Sequence, residues 1–139
     1  MLDSFFRPGS VAVIGASRTP GKVGYDILKN LINSGFGGPL YPVNPKADEV
    51  LGLPCRGDIT QVGEPVDLAV IVIPSKFVPD TIDQCASAGV RGVIVISAGF
   101  KEAGGKGAAL EAELARRCRE HGIRCIGPNC LGVISPPHG

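Results

Sequence analysis

Residues 11–24, VAVIGASRTPGKVG, combine an apolar run, a glycine turn and the start of a helical pattern. A strand that leads through a glycine turn into a helix directs unpaired backbone N–H groups and the positive end of the helix dipole towards one point, where phosphates bind. Arg18 and Lys22 fall in this loop, and residues 4–25 contain no carboxylate. Cations at a helix start oppose the dipole unless an anion lies between them. We therefore interpret the segment as a phosphate-binding loop, with an ordinary solvated loop as the alternative.

The match of this loop to the dinucleotide-binding fingerprint G-x-G-x-x-G is imperfect. Gly15 and Gly24 could be its outer glycines, but Ser17 stands in the place of the second glycine and the loop is longer than the standard one. A purely structural turn therefore remains the alternative for the glycines.

The Asn-Pro-Lys sequence at residues 44–46 distinguishes between nucleotides. An NAD-binding fold carries Asp or Glu at the end of the second strand, where the carboxylate accepts hydrogen bonds from the ribose hydroxyls. Lys46 at this point suits a ribose that is itself phosphorylated, as in NADP or coenzyme A. The alternative is a surface lysine, and spacing alone leaves both ligands open.

Composition limits the class of protein. The 139 residues correspond to one domain, and a net charge of +1 provides no overall field for nucleic acid or an anionic membrane. The longest apolar run, residues 68–73, is too short to cross a bilayer, and no signal peptide opens the chain. The sequence has no C-x-x-C pair and no histidine at ligand spacing from a cysteine pair. We therefore expect the cysteines to be small buried hydrophobes in a reducing cytoplasm and to form no metal site. They are Cys55, Cys85, Cys118, Cys125 and Cys130.

Strand and helix patterns alternate along the chain, which predicts an α/β fold with a Rossmann-like, doubly wound parallel sheet and helices on both faces. The expected spatial order is 3-2-1-4-5-6, with the ligand crevice between the first and fourth strands. The loops expected to meet there are 15–22, 44–46, 74–77 and 97–100. The predicted strands are 10–14, 40–43, 50–55 (a short edge strand), 66–73, 92–96 and 124–126, and the predicted helices are 23–33, 78–88 and about 108–120.

Helical periodicity also predicts which side chains are buried. The first helix should bury Ile27, Leu28, Leu31 and Ile32. The last helix should direct Arg116, Arg117 and Arg119 towards water, and His121 at its end should satisfy last-turn carbonyls.

Five segments, VAVIGASRTPGKVG, LYPVNPK, VDLAVIVIPSKFVP, GVIVISAGF and IGPNCLGV, occur in this order and cover nearly the whole chain. Together they resemble the N-terminal CoA-binding domain of the NDP-forming acyl-CoA synthetases, which include the ADP-forming acetyl-CoA synthetases and the succinyl-CoA synthetase alpha subunit. The resemblance implies coenzyme A as the ligand. It also implies a CoA-binding Rossmann-like domain over residues 1–134, with 135–139 starting a linker to a following domain.

The resemblance assigns roles to individual residues. The phosphates of the coenzyme would lie on the first loop, and Lys46 would lie near the adenosine 3′-phosphate. Later loops would line the path of the adenine and the pantetheine arm. Ala98 stands where the succinyl-CoA subunit has a glutamate, so the chain is more similar to the acetyl-type branch. The predicted CoA-binding residues are Gly15, Ser17, Arg18, Thr19, Pro20, Lys22, Lys46, Pro74, Ser75, Ile96, Ser97 and Ala98.

Catalytic residues are not expected in this chain. In the family, a histidine of the following domain is phosphorylated and an ATP-grasp domain or subunit binds the nucleotide. His121 and His138 are the only histidines here, and neither has a suggestive arrangement of neighbours. The whole enzyme would convert acyl-CoA, ADP and phosphate reversibly to acid, CoA and ATP. The isolated chain is expected to bind CoA or acyl-CoA without turnover.

Two other classes remain open at this stage: a regulatory domain that senses CoA or a nucleotide, alone or fused to a lysine acetyltransferase, and an NADP-binding oxidoreductase domain. Cys130 could be a thiol near the CoA sulfur or a buried cysteine of the GPNCLG turn, in which Asn129 would bond the backbone. Ser97 lacks the flanks of a nucleophile elbow and is interpreted as a ligand contact.

Overall fold

The computed structural model describes residues 8–96 and 104–127. The described residues include two short 3₁₀ turns, Ile59–Gln61 and Ser75–Phe77. The described helices are α1 Val23–Asn33, α2 Val78–Ser87 and α3 Gly105–His121. The described strands are β1 Val11–Ile14, β2 Leu40–Val43, β3 Glu49–Val50, β4 Leu53–Pro54, β5 Leu68–Ile71, β6 Gly92–Val95 and β7 Arg124–Ile126.

Five of these strands form one parallel sheet in the order β2-β1-β5-β6-β7. β1 is hydrogen-bonded on both sides, with Val11 opposite Leu40 of β2 and Leu68 of β5. All four residues of β1 are buried, because helices cover both faces. Ala12 belongs to the hydrophobic cluster of α2 and α3, whereas Val13 belongs to the cluster of α1. The predicted α/β class and Rossmann-like arrangement are confirmed.

The predicted edge strand at residues 50–55 is wrong, and the order 3-2-1-4-5-6 is therefore wrong at that edge. The segment forms the antiparallel hairpin β3–β4, with Leu51 and Gly52 at its turn in the left-handed region (φ 51° and 80°). Arg56, directly after this segment, forms a parallel bridge to Val43. Pro42 in β2 has no N–H to donate along this edge, which limits pairing with a further strand.

The predicted helices agree closely with the structure, and α1 has the predicted bounds. α2 ends one residue early and α3 begins earlier than expected. Leu28 is fully buried, with Ile27 and Leu31 packed beside it. Ile32, in contrast, is 39% exposed, so its predicted burial is wrong.

α1 packs against the turn after β1 at backbone contact distance. A Cβ atom on Gly24, in the first turn of α1, would lie 2.1 Å from the carbonyl oxygen of Gly15. A Cβ on Gly15 would lie 2.1 Å from the carbonyl oxygen of Val72, and Gly15 has a φ of 97°. Both predicted outer glycines of the loop are therefore required by packing.

An ion-pair network joins α3 to α2 and corrects the expectation that Arg117 faces water. Its Nη1 donates to Asp80 Oδ1 at 2.7 Å and to Asp83 Oδ2 at 3.0 Å, while Nε donates to Glu113 Oε2 at 2.6 Å. The Arg117 side chain is 21% exposed. Arg116 is exposed and also donates a hydrogen bond to Glu113.

His121 contacts α2, and this contact differs from the predicted capping role. Its Nε2 lies 2.9 Å from Asp83 Oδ1. The last-turn carbonyl of Arg119 is instead bound by the N–H of Gly122, which has a φ of 68°. A glycine in the left-handed region is the usual way to end a helix, and it leaves the imidazole available for the contact with Asp83.

The predicted burial is confirmed for three of the four cysteines in the described residues. Cys55, Cys85 and Cys118 are buried free thiols, and Cys125 is half-buried. Burial raises the pKa of Cys85 to about 12, so this thiol stays protonated and packs as a small hydrophobe. Cys130 lies outside the described residues.

Replacement of Gly24 by alanine should destabilise the fold by about 1–3 kcal/mol, because the added methyl group collides with a backbone oxygen that cannot move independently. Urea unfolding measures this change. Asn30→Ala, on the exposed face of the same helix, is the control. It should be neutral or slightly stabilising because alanine favours helix. An equally stable Gly24→Ala variant would contradict the close packing.

Hydrogen bonds from Arg116 and Arg117 lower the pKa of Glu113 from 4.5 to about 2. A carboxylate whose folded-state pKa is depressed stabilises the fold above its usual pKa, and this stabilisation is lost as the pH falls towards the folded value. The difference in unfolding free energy between the wild type and Glu113→Gln should therefore be constant above about pH 4.5 and shrink as the pH falls from 4.5 to 2.

Chemical denaturation at several pH values checks this dependence. Glu64→Gln is the control, because Glu64 is exposed and has no ion-pair partner among the described residues. A difference for Glu113→Gln that stays the same down to pH 2 would refute the ion-pair assignment.

Candidate functional site

A cleft of about 400 Å³ opens at the carboxyl ends of β1, β2 and β5. It lies at the point where the chain leaves β1 and β5 towards opposite faces of the sheet, which is the predicted ligand crevice of a doubly wound sheet. Most of its lining comes from strand ends, from the segment after β4 and from the start of α2. The lining residues are Ile14, Gly15, Val43, Asn44, Pro45, Gly57, Asp58, Val72, Ile73, Pro74, Phe77, Thr81 and Gln84.

The loop after β1 is held by its own hydrogen bonds. The Gly15 N–H donates to Val43 O at 2.9 Å, which ties the loop to the end of β2. Ser17 Oγ accepts from the Thr19 N–H at 3.0 Å, and the Lys22 N–H donates to Thr19 O at 3.2 Å. Ser17 therefore closes a tight turn in the position where the fingerprint has its second glycine.

The start of α1 is open to solvent. Lys22 is the N-cap residue in extended conformation, and among the described residues its side chain makes no capping bond to the first-turn N–H groups. Arg18, Thr19, Pro20 and Lys22 are all exposed. The loop thus offers backbone donors, the positive end of a helix dipole and two cations to solvent, as the sequence predicted.

Cys55, which follows the hairpin, lies beside the loop after β2, because its Sγ is 3.6 Å from Asn44 O. Burial and, to a lesser degree, the Asp48 carboxylate raise the pKa of this thiol, whereas the hydrogen bond with Asn44 and the positive charges of Arg56 and Arg18 lower it. The charge of Arg18 therefore acts on this segment.

Asn44 connects the two loops, a role that sequence reasoning missed. Its Nδ2 donates to Ala16 O at 2.7 Å, and its Oδ1 accepts from the Lys46 N–H at 2.8 Å. The second bond is an Asx turn, which asparagine before proline at a strand end could have indicated. Lys46 itself is exposed at the rim.

The opposite wall begins with Pro74 and the 3₁₀ turn before α2. Phe77 lines the cleft and is 52% exposed, and Lys76 Nζ lies 5.1 Å from the centroid of its ring. Sequence reasoning placed the loop 74–77 at the crevice but did not single out Phe77. An exposed aromatic face at a cleft is suited to stacking against a planar ligand.

Polar side chains complete the cleft. Asp58 Oδ1 accepts from the Thr60 N–H at 2.8 Å, and Thr81 Oγ1 donates to Phe77 O at 2.9 Å. Gln84 is exposed on α2. No local sequence signal marks these residues, because only the packing of α2 and of the segment after β4 brings them to the strand ends.

The predicted site residues fall into four groups. Gly15 and Pro74 line the cleft. Ile96 belongs to the hydrophobic cluster of Val11 and Leu68, and its N–H donates to Ile71 O at 2.9 Å. Ser97, Ala98, Asn129 and Cys130 lie outside the described residues. The rest occupy loops at the same edge of the sheet without lining the cleft: Ser17, Arg18, Thr19, Pro20, Lys22, Lys46 and Ser75.

Within residues 8–96 and 104–127, no cluster of histidine, cysteine and carboxylate side chains could hold a metal ion. In the same part of the chain, no helix has the length and apolar character needed to cross a membrane.

Comparison with known proteins identifies the family. Residues 9–136 match the model of the CoA binding domain. The chain is 51% identical over 134 residues to acetate–CoA ligase [ADP-forming] I of Archaeoglobus fulgidus, which covers 96% of this chain and 19% of that protein. It is 46% identical over 135 residues to the alpha subunit of acetate–CoA ligase [ADP-forming] II of Pyrococcus furiosus, which covers 97% of this chain and 29% of that subunit.

Among solved structures, the dinucleotide-forming acetyl-coenzyme A synthetase 1 of Ca. Korarchaeum cryptofilum, in complex with phosphate and ADP, matches with a TM-score of 0.91 and 46% identity. The match covers 99% of this chain and 29% of that one. The chain thus spans between about a fifth and three-tenths of the length of these relatives. On the match over residues 9–136 and these identities, the chain belongs to the CoA binding domain family.

Proposed function

We propose that this chain binds coenzyme A and serves as the CoA-binding domain of an ADP-forming acyl-CoA synthetase of the acetyl type. The observation that carries the proposal is the junction of two basic loops at the switch point of the sheet. Asn44 joins the Arg18 loop to the Lys46 loop by two hydrogen bonds, at 2.7 and 2.8 Å. In this proposal the adenosine 3′-phosphate binds between Arg18 and Lys46.

The diphosphate of the coenzyme binds the loop after β1. Ser17, Thr19 and Pro20 shape this loop at the open N-terminus of α1, and Lys22 adds a cation beside it. Backbone N–H groups at a helix start and a neighbouring ammonium are the usual ligands of a bridging phosphate.

The adenine occupies the cleft. A volume of about 400 Å³ lies within the range of small-molecule sites. Phe77 provides a partly exposed aromatic face at its wall, and Pro74 lies beside it. Gly15 lines the same cleft at the end of β1. Ser75, Ile96, Ser97 and Ala98 are assigned to the path of the adenine and the pantetheine arm.

The activity of the whole protein is proposed on the same basis. Residues 1–134 form the CoA-binding domain and residues 135–139 start the linker to a phosphohistidine domain, with an ATP-grasp domain or subunit as the further partner in the cytoplasm. Together they convert acyl-CoA, ADP and phosphate reversibly to acid, CoA and ATP. The isolated domain does not turn over. His121 supports this, because it is paired with Asp83 at the C-terminal end of α3, and that end lies at the amino edge of the sheet, opposite the cleft.

Lys46→Ala should remove most of the preference for CoA over dephospho-CoA. A charge-assisted hydrogen bond to the 3′-phosphate contributes about 1.5–3 kcal/mol, so the wild type should bind CoA about ten to a hundred times more tightly than dephospho-CoA. Isothermal titration with CoA, dephospho-CoA and NADP measures these affinities.

Lys29→Ala is the matched control, since Lys29 is an exposed lysine in the middle of α1 with its ammonium near Tyr25. It should leave the preference unchanged. Equal affinities of the wild type for CoA and dephospho-CoA would reject the role of Lys46, and tighter binding of NADP than of CoA would reject the proposed function.

Phe77→Ala should weaken CoA binding by about 1–3 kcal/mol, which is the contribution of stacking one base on an aromatic ring. Phe77→Tyr keeps the ring and should bind CoA like the wild type. Titration with 4′-phosphopantetheine is the control, because this ligand has no adenine and its affinity should be the same for all three proteins. A loss of affinity for both ligands in Phe77→Ala would show that the ring does not bind the base.

A further inference from the structure

Among the described residues, Asn44 forms the only side-chain hydrogen bond that joins the end of β2 to the backbone of the loop after β1. It donates through Nδ2 to Ala16 O at 2.7 Å and accepts through Oδ1 from the Lys46 N–H at 2.8 Å. A single half-buried amide thus uses its donor on one loop and its acceptor on the other. Ala16 is fully buried, so the residue that accepts the Nδ2 hydrogen bond is fixed in the core.

The backbone of Asn44 is fixed from the opposite direction. Its N–H donates to Arg56 O at 2.8 Å, and its carbonyl accepts from the Ala47 N–H at 3.3 Å. Since Arg56 forms the bridge to β2, these bonds hold Asn44 between the sheet edge and the segment that follows the hairpin. The side-chain amide therefore starts from a rigid position.

No ion pair holds the side chains of the two cations beside this link. Arg18 and Lys46 are exposed, and neither forms an ion pair with any described residue. Bringing two long, flexible side chains to one phosphate costs conformational entropy, and this cost falls when their backbones are already at the required separation. The hydrogen bonds of the Asn44 side chain hold the backbone at Lys46 itself and at Ala16, two residues before Arg18.

We propose that Asn44 is a positioning residue that sets the separation of Arg18 and Lys46, and thereby the preference of the site for a ribose bearing a 3′-phosphate. This inference rests on the proposed binding of CoA. Aspartate has no donor for Ala16 O and adds a negative charge beside the phosphate. Serine keeps an acceptor for the Lys46 N–H but has no second polar group to reach Ala16 O.

The test is the ratio of the dissociation constants of dephospho-CoA and CoA, measured by calorimetry for the wild type, Asn44→Ser and Asn44→Ala. Both variants should lower this ratio by roughly a factor of ten, because CoA loses affinity while dephospho-CoA binds nearly as before. Ser34→Ala is the matched control. It removes a 3.0 Å hydrogen bond from Ser34 Oγ to Leu31 O at the other end of α1 and should leave the ratio unchanged.

Asn44→Ser retains the turn at residues 44–46, so it carries the test if Asn44→Ala unfolds. An equal loss of affinity for both ligands in Asn44→Ser would assign Asn44 a merely structural role and overturn the inference. A ratio for Asn44→Ser equal to that of the wild type would also overturn the inference. The proposal that the domain binds CoA would not be affected by this result. Failure of the wild type to bind CoA would overturn the proposed function itself.

Discussion

The contact of backbone with backbone between the turn after β1 and the first turn of α1 is the constraint on which the site depends. Side chains are excluded from this contact, since a Cβ on Gly24 would lie 2.1 Å from Gly15 O. The helix therefore starts directly above the end of β1. Its unpaired N–H groups point towards the loop there, and the loop extends outwards between β1 and α1.

Charge and apolar surface are separated at this edge of the sheet. The cations of the two basic loops lie at the exposed rim, whereas the cleft beside them is lined mainly by strand ends, Pro74 and Phe77. Coenzyme A has the same division, because its phosphates are charged and its base is planar and neutral. A net charge of only +1 is consistent with this, since binding a phosphate requires a local field and not a basic protein.

The ion pairs of α2 and α3 are separate from the site. Arg117 lies on the face covered by α2 and α3, while the loop after β1 leads into α1 on the opposite face. These pairs are partly exposed, so they contribute little free energy individually and serve mainly to orient the two helices. Substitutions in this network should therefore leave the geometry of the loop after β1 unchanged.

Local sequence determined the elements of this protein, and tertiary packing determined their partners. The bounds of α1, the buried strands and the glycine loop with its cations follow from periodicity and residue chemistry within short windows. The hairpin in place of an edge strand, the pairing of Arg117 with α2 and the link from Asn44 to Ala16 did not. Asn44 and Ala16 are 28 positions apart, and Arg117 and Asp80 are 37 apart. Such pairs depend on how whole elements are placed against one another, which no short stretch of sequence specifies.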